Sequence, residues 1–142
     1  MLEHVNLIRA LEAGFVAAAL MAIVGYGPRL LGQPVLDFGA IIEAKIFRYH
    51  SRRGTAIGLL VHVGNGMLLA LLYAVFPHQR FGAPALLTGI SWGLVLWLVA
   101  MLVVLPRLGE GVFGHRMGPA VRITSLLMHL VYGLTLGVVY AY

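Results

Sequence analysis

The 142-residue chain contains no cysteine, which excludes disulfides, iron–sulfur clusters, thiolate metal sites and cysteine nucleophiles. Charged residues are scarce as well, at 11% of the chain against roughly 25% in soluble domains. Only five residues are acidic, and the sequence contains no acidic metal cluster, phosphate-binding loop or nucleophile–base–acid set. These absences argue against the common classes of soluble enzyme.

Apolar residues make up 61% of the chain, compared with about 45–50% in soluble domains. A domain of this size cannot bury so much apolar surface in its own core, so lipid must solvate most of it. Four apolar runs cover residues 7–27, 54–76, 83–105 and 123–142, and each is close to the ~20 residues that cross a bilayer as a helix. The sequence therefore predicts an all-α membrane protein, a four-transmembrane-helix bundle that forms a single domain over residues 1–142.

The connections between the spans indicate an orientation. Eight basic residues fall on one side of the predicted spans and only Arg9 and Arg80 on the other, which predicts cytoplasmic loops at 28–53 and 106–122 and both termini outside. Residues 37–50 are amphipathic, so we expect a short helix in the membrane interface. The basic residues assigned to the interface are Lys45, Arg48, Arg52, Arg53 and Arg122. The net charge of +5 is thus explained by membrane topology, without nucleic acid as a partner.

Two stretches of the chain resemble each other. From Leu60 the sequence reads LVHVGNGMLLALLYA, and from Leu127 it reads LMHLVYGLTLGVVYA. On a helix, the shared offsets of 0, 4, 8 and 11 lie within roughly 80° of one another, so they form one stripe. The matched pairs are His62/His129, Gly66/Gly133, Ala70/Gly137 and Tyr73/Tyr140.

The similarity extends to the first and third spans, where Gly14 and Ala18 correspond to Gly89 and Gly93. Small residues at four-residue spacing allow two membrane helices to approach closely. We therefore predict a tandem duplication of a helical hairpin. No proline lies inside a predicted span, which argues against the broken helices of many transporters. The residues predicted to form helix contacts are Gly14, Ala18, Gly89, Gly93, Gly133 and Gly137.

His62 and His129 are predicted to lie at the same depth and to face each other, and three uses for them stay open. They could form interhelical hydrogen bonds, they could be the axial ligands of a b-type haem, or they could belong to a proton relay, a metal site or a substrate site. Haem would need the room that Gly66 and Gly133 leave beside the two rings. The candidate hydrogen-bond partners are Asn65, Tyr132, Ser91 and Thr88.

The runs HLVYGLTLGVVYA in the last span and WLVAMLVVLP in the third resemble small, uncharacterised bacterial inner-membrane proteins with His-x-x-x-Gly in the last helix. The resemblance implies a four-helix inner-membrane fold and no established activity. We expect a non-catalytic accessory or interaction subunit of a larger membrane complex, respiratory complexes being one class. Its partners would be the lipid bilayer and either other membrane subunits or further copies of itself. The alternatives are a haem-binding electron-transfer protein and a small transporter or proton-relay component.

Overall fold

The computed structural model describes residues 5–27, 52–76 and 83–141, with the isolated residues Ile41 and Ala44 between them. The predicted interfacial helix at 37–50, with Lys45 and Arg48, therefore lies outside the described residues. The described segments form four long helices, each long and apolar enough to cross a membrane. Their bounds are α1 Leu7–Tyr26, α2 Arg52–Val75, α3 Ala85–Arg107 and α4 Pro119–Ala141.

Local sequence explains where α1 and α4 begin. The side chain of Asn6 accepts a hydrogen bond of 2.9 Å from the backbone N–H of Arg9, so it caps the first turn of α1. Helix α4 begins at Pro119, four residues before the predicted start. Proline is favoured in the first turn because its φ angle is already helical and its missing N–H would have no partner there. Gly118 precedes it with φ +93°, a conformation that glycine adopts without strain.

Helix α3 continues past the predicted end of its span, through Pro106 to Arg107. Pro106 has no N–H to offer the preceding turn, and the helix widens into a π-helical segment at Ala100–Val104 directly before it. The N–H of Leu105 bonds to the carbonyl of Ala100, five residues back. The wider turn allows the helix to accommodate the proline. The hydropathy pattern alone contained no signal for this irregularity.

The four helices pack in the order α2, α1, α4, α3, so that α1 and α4 form the inner pair. The core is built from alanines and a methionine of α1, alanines and a tyrosine of α2, and methionine, leucine and tyrosine side chains of α4. Helix α2 is the least covered: 22% of its apolar window is buried, compared with 44% for α4. One broad face of α2 is therefore directed away from the rest of the bundle.

The loop between α3 and α4 folds back against the end of α3. Phe113 has φ +53°, which is uncommon for a residue other than glycine. Its ring packs against that of Trp97 at a centroid distance of 5.7 Å, and its carbonyl accepts a 3.1 Å hydrogen bond from Nε of Arg122. Arg122, predicted to be an interfacial basic residue, is exposed and holds this loop to the start of α4.

Candidate functional site

The hydrogen bond of His129 determines its tautomer. His129 is buried on α4, and its Nδ1 lies 2.8 Å from the backbone carbonyl oxygen of Ser125. A carbonyl can only accept, so Nδ1 must carry the hydrogen and Nε2 the lone pair. The hydroxyl of Ser125 lies further away, at 3.5 Å from Nδ1. Metal-binding histidines commonly have this arrangement, with one nitrogen donating to a carbonyl and the other available as a ligand.

Two tyrosine contacts define the register between α2 and α4. The hydroxyl of Tyr132 donates a 2.6 Å hydrogen bond to the carbonyl oxygen of Gly66. Near the other end of the helices, the rings of Tyr73 and Tyr140 meet edge to face at 5.9 Å. Both contacts join residues that lie 66 or 67 positions apart in the chain. The two helices therefore run parallel to each other, and their register is the same at both contacts to within one residue.

In this register His62 lies level with His129, to within one residue. His62 is half-buried on α2 and His129 is buried on α4. The two predicted histidines thus lie at one depth in the bundle, on two different helices. Among the described residues, no group of three or more His, Asp, Glu or Cys side chains is close enough to hold a metal ion.

Other parts of the protein occupy the space beside the histidines. A Cβ atom built on Gly66 would lie 2.7 Å from Cβ of Ala18 and 3.4 Å from the ring of Tyr132. A Cβ atom on Gly133 would overlap the carbonyl oxygen of Gly89. Both glycines are therefore in tight contact with neighbouring helices. The room that a haem macrocycle would need beside its two axial ligands is filled at both positions, so these residues do not fit a haem in this packing.

The small residues predicted to form helix contacts lie at two interfaces. Between α1 and α2, a Cβ atom on Gly14 would lie 2.6 Å from Cβ of Ala70 and 2.9 Å from Cα of Met67, and Ala18 faces Gly66. Between α3 and α4, Gly89 and Gly93 face the backbone of His129, Gly133 and Gly137. Backbones can approach this closely only where side chains are absent or small. The two interfaces use the positions that the repeat alignment pairs with one another.

The polar side chains proposed as partners for the histidines have other neighbours. The hydroxyls of Tyr73 and Thr88 lie 2.8 Å apart, and both lie within hydrogen-bonding distance of the Ala85 carbonyl oxygen, at 3.2 and 3.0 Å. Tyr132 bonds to Gly66, as described above. Ser91 and Asn65 are exposed on the outside of the bundle. None of the four side chains hydrogen-bonds to either histidine in the described part of the chain.

Asn65, one of the four candidate hydrogen-bond partners of the histidines, lies in an environment that the sequence did not indicate. The structure places its side chain on the outer face of α2, where it makes no hydrogen bond to any described residue. Its neighbours on this face are Val61, Leu68 and Leu72, all of them exposed. Their spacing of four, three and four residues is typical of one helix stripe, but such a stripe in a membrane helix faces protein or lipid equally well.

The family comparison covers nearly the whole chain. Residues 4–142 match the model of a family of unknown function (DUF6789). No curated protein and no solved structure matches the chain.

Proposed function

The chain belongs to this family of unknown function, and we propose that it is a non-catalytic accessory subunit that docks to other chains of a larger membrane complex. Respiratory complexes are one class of host. The observation that supports the proposal is the exposed amide of Asn65 in the middle of α2. Membrane helices commonly associate through such side chains, because an asparagine can hydrogen-bond across to a neighbouring helix.

The position of Asn65 along α2 explains why lipid cannot satisfy this side chain. The apolar stretch of α2 runs from Ala56 to Val75, and Asn65 lies in its middle, about 14–15 Å from either end at 1.5 Å per residue. An asparagine side chain is too short to reach the headgroups from there. An amide without a hydrogen-bond partner in hydrocarbon costs roughly 2–7 kcal/mol. A protein partner that supplies a donor and an acceptor removes this cost.

Glu12 provides a contrast, since it is a second exposed polar residue within a span. It lies in the second turn of α1, which begins at Leu7, and side chains on a helix point back toward the N-terminus. Its longer side chain can therefore reach the nearby interface. Glu12 has a route to water and Asn65 has none, so the docking proposal is built on Asn65.

The proposal includes the membrane arrangement expected from the sequence. The loops at 28–53 and 106–122 face the cytoplasm of a bacterial inner membrane, and the two hairpins derive from one duplicated unit. The matched small-residue contacts of Gly14 with Ala70 and of Gly89 with Gly137 support the duplication. In this role the two histidines stabilise the interior, where the bond from His129 to the Ser125 carbonyl ties one of them to its own helix.

The histidine pair supports a second candidate, a small proton-relay or cation site. The favouring observation is that Nε2 of His129 carries a lone pair while His62 lies at the same level. The electron-transfer alternative is tested separately, by absorption spectroscopy of protein purified from haem-supplied cells. We expect no reducible Soret band, because helix contacts fill the space beside Gly66 and Gly133. A Soret band that His62→Ala or His129→Ala abolishes would reverse this conclusion.

Affinity purification of the tagged protein in a mild detergent tests the accessory role. We expect stoichiometric recovery of at least one other membrane protein with the native chain, and its loss with Asn65→Leu, either because the amide contacts that protein directly or because that protein binds only the chain paired through Asn65. Glu12→Gln is the control variant, because it alters the exposed polar residue that can reach the interface and should leave recovery unchanged. A native chain that purifies without another protein, or a partner that is indifferent to Asn65→Leu, would contradict the proposal.

A further inference from the structure

The docking face on α2 can be defined by four residues. Val61, Asn65, Leu68 and Leu72, here called the Asn65 stripe, lie within about 60° of one another around the helix. All four are exposed, and Leu68 is 62% exposed. The face is thus continuous and apolar, apart from a single amide at its centre. One polar residue within an apolar helix face determines which helices can pair and in which register.

The chemistry of this amide limits the choice of partner. A side-chain amide has a carbonyl acceptor and two N–H donors, so two asparagines that face each other can exchange hydrogen bonds in both directions. A dimer with twofold symmetry brings the same residue of both subunits to the axis. If the axis lies along the membrane normal, the two amides are at equal depth. No adjustment of tilt or register is then needed for them to meet.

The geometry points to a second copy of this chain as the occupant of the Asn65 stripe, so that two α2 helices pair in parallel with their Asn65 amides bonded across the axis. This inference rests on the docking role proposed above and names the partner at that surface. Two further observations favour it. Helix α2 is the least covered of the four helices, and the leucines that flank Asn65 leave one face open for close packing.

The absence of cysteine from the chain makes a direct test simple. A single engineered cysteine can form a homodimeric disulfide only with the same position of another copy, and only if the two Cα atoms come within about 7 Å. Leu68→Cys places the thiol on the Asn65 stripe. Leu134→Cys is the matched control: it changes the same residue type at nearly the same depth on α4, and Leu134 is also exposed. Both variants are oxidised in native membranes and analysed on non-reducing gels.

We expect a disulfide-linked dimer of Leu68→Cys and little dimer of Leu134→Cys. Adding Asn65→Leu to Leu68→Cys should weaken dimerisation roughly 3- to 30-fold, the range for one interhelical polar contact in a membrane. Adding Asn65→Gln keeps an amide and should preserve most of the dimer. Because Asn65→Gln changes the same position but keeps the amide, a preserved dimer shows that Asn65→Leu acts by removing the amide and not by unfolding the chain.

The outcomes separate this inference from the accessory role. Equal cross-linking of the two cysteine variants, or a dimer indifferent to Asn65→Leu, would overturn the inference. If Leu68→Cys formed no disulfide and a different protein bound the chain in an Asn65-dependent way, the inference would also be overturned, while the docking role would stand. Conversely, an Asn65-dependent homodimer that purifies without other proteins would support the inference and remove the accessory role.

Discussion

The two hairpins of this protein pack their helices at matched positions with different residues. In the first hairpin, the contact between α1 and α2 is made by glycines and alanines, and the atoms nearest to Gly14 and Gly66 across it are the methyl groups of Ala70 and Ala18, with the backbone of Met67 next to Gly14. In the second, Gly89, Gly93, Gly133 and Gly137 bring α3 and α4 into direct backbone contact. A mutation can remove a methyl group from the contact, but it cannot remove a backbone atom. The two interfaces should therefore respond differently to the same substitution.

The hairpins also differ in where their second helices lie. Helix α4 belongs to the inner pair, and Tyr132 on it reaches across to Gly66. Helix α2 lies at the edge of the bundle, and Asn65, which aligns with Tyr132 in the repeat, is exposed. If the hairpins are duplicates, one copy of this position has become an internal contact. The other copy faces out and is available for contacts between subunits.

The largest effect should come from Gly133→Ala in the second hairpin. The new Cβ atom would overlap the Gly89 carbonyl oxygen and lie 3.0 Å from Cα of Gly93, and both are backbone atoms. We expect the free energy of unfolding to fall by about 3 kcal/mol, the upper part of the usual range for overpacking. Detergent-denaturation titration in bicelles provides the measurement. Gly64→Ala is the control, because no described atom outside its own helix lies within 4 Å of the place that its new methyl group would take. Equal losses for the two variants would contradict the proposed contact.

Gly66→Ala should have a smaller effect in the first hairpin, with a loss of about 1–2 kcal/mol in the free energy of unfolding. Its Cβ atom would lie 2.7 Å from the Cβ atom of Ala18. Adding Ala18→Gly removes that methyl group and should restore most of the lost stability, as a double-mutant cycle would show. No such rescue is available for Gly133, whose neighbours at the contact are already glycines. A double variant as unstable as Gly66→Ala would show that the two hairpins do not differ in this way.

Particular residues show how far the fold could be predicted from the sequence. The four helices follow from the lengths of the apolar runs, and the small residues of the helix contacts follow from their four-residue spacing. His62 and His129 lie at the same depth, as their positions in the two similar stretches predict. The outward direction of Asn65 was not predictable in the same way. In lipid, apolar side chains face outward and inward equally well, so hydrophobic periodicity does not mark the buried face of a helix.

The helix order and the π-helical segment could not be predicted from the sequence, for related reasons. Whether α2 or α4 joins α1 in the inner pair depends on which side chains fill the space between them, such as Tyr132 against Gly66. Both helices are apolar enough to cross a membrane, so hydropathy does not indicate which of them belongs to the inner pair. The segment at Ala100–Val104 reflects the response of the backbone to Pro106, and composition does not encode that response.

The smallest expected effect is that of Tyr132→Phe, and it tests the comparison between Tyr132 and Asn65. Tyr132→Phe removes the 2.6 Å hydrogen bond to the Gly66 carbonyl, while that carbonyl can still accept the N–H of the following helical turn. We expect a loss of about 0.6 kcal/mol in unfolding free energy, with an upper limit of about 1.7 kcal/mol, as for interhelical bonds in other membrane proteins. Asn65→Leu, measured in dilute detergent where subunits are separated, should cause no loss, because its side chain bonds to no described residue of its own subunit. If Asn65→Leu destabilised the separated subunit as much as Tyr132→Phe, the amide would have an internal partner, and the division into an inward and an outward position would fail.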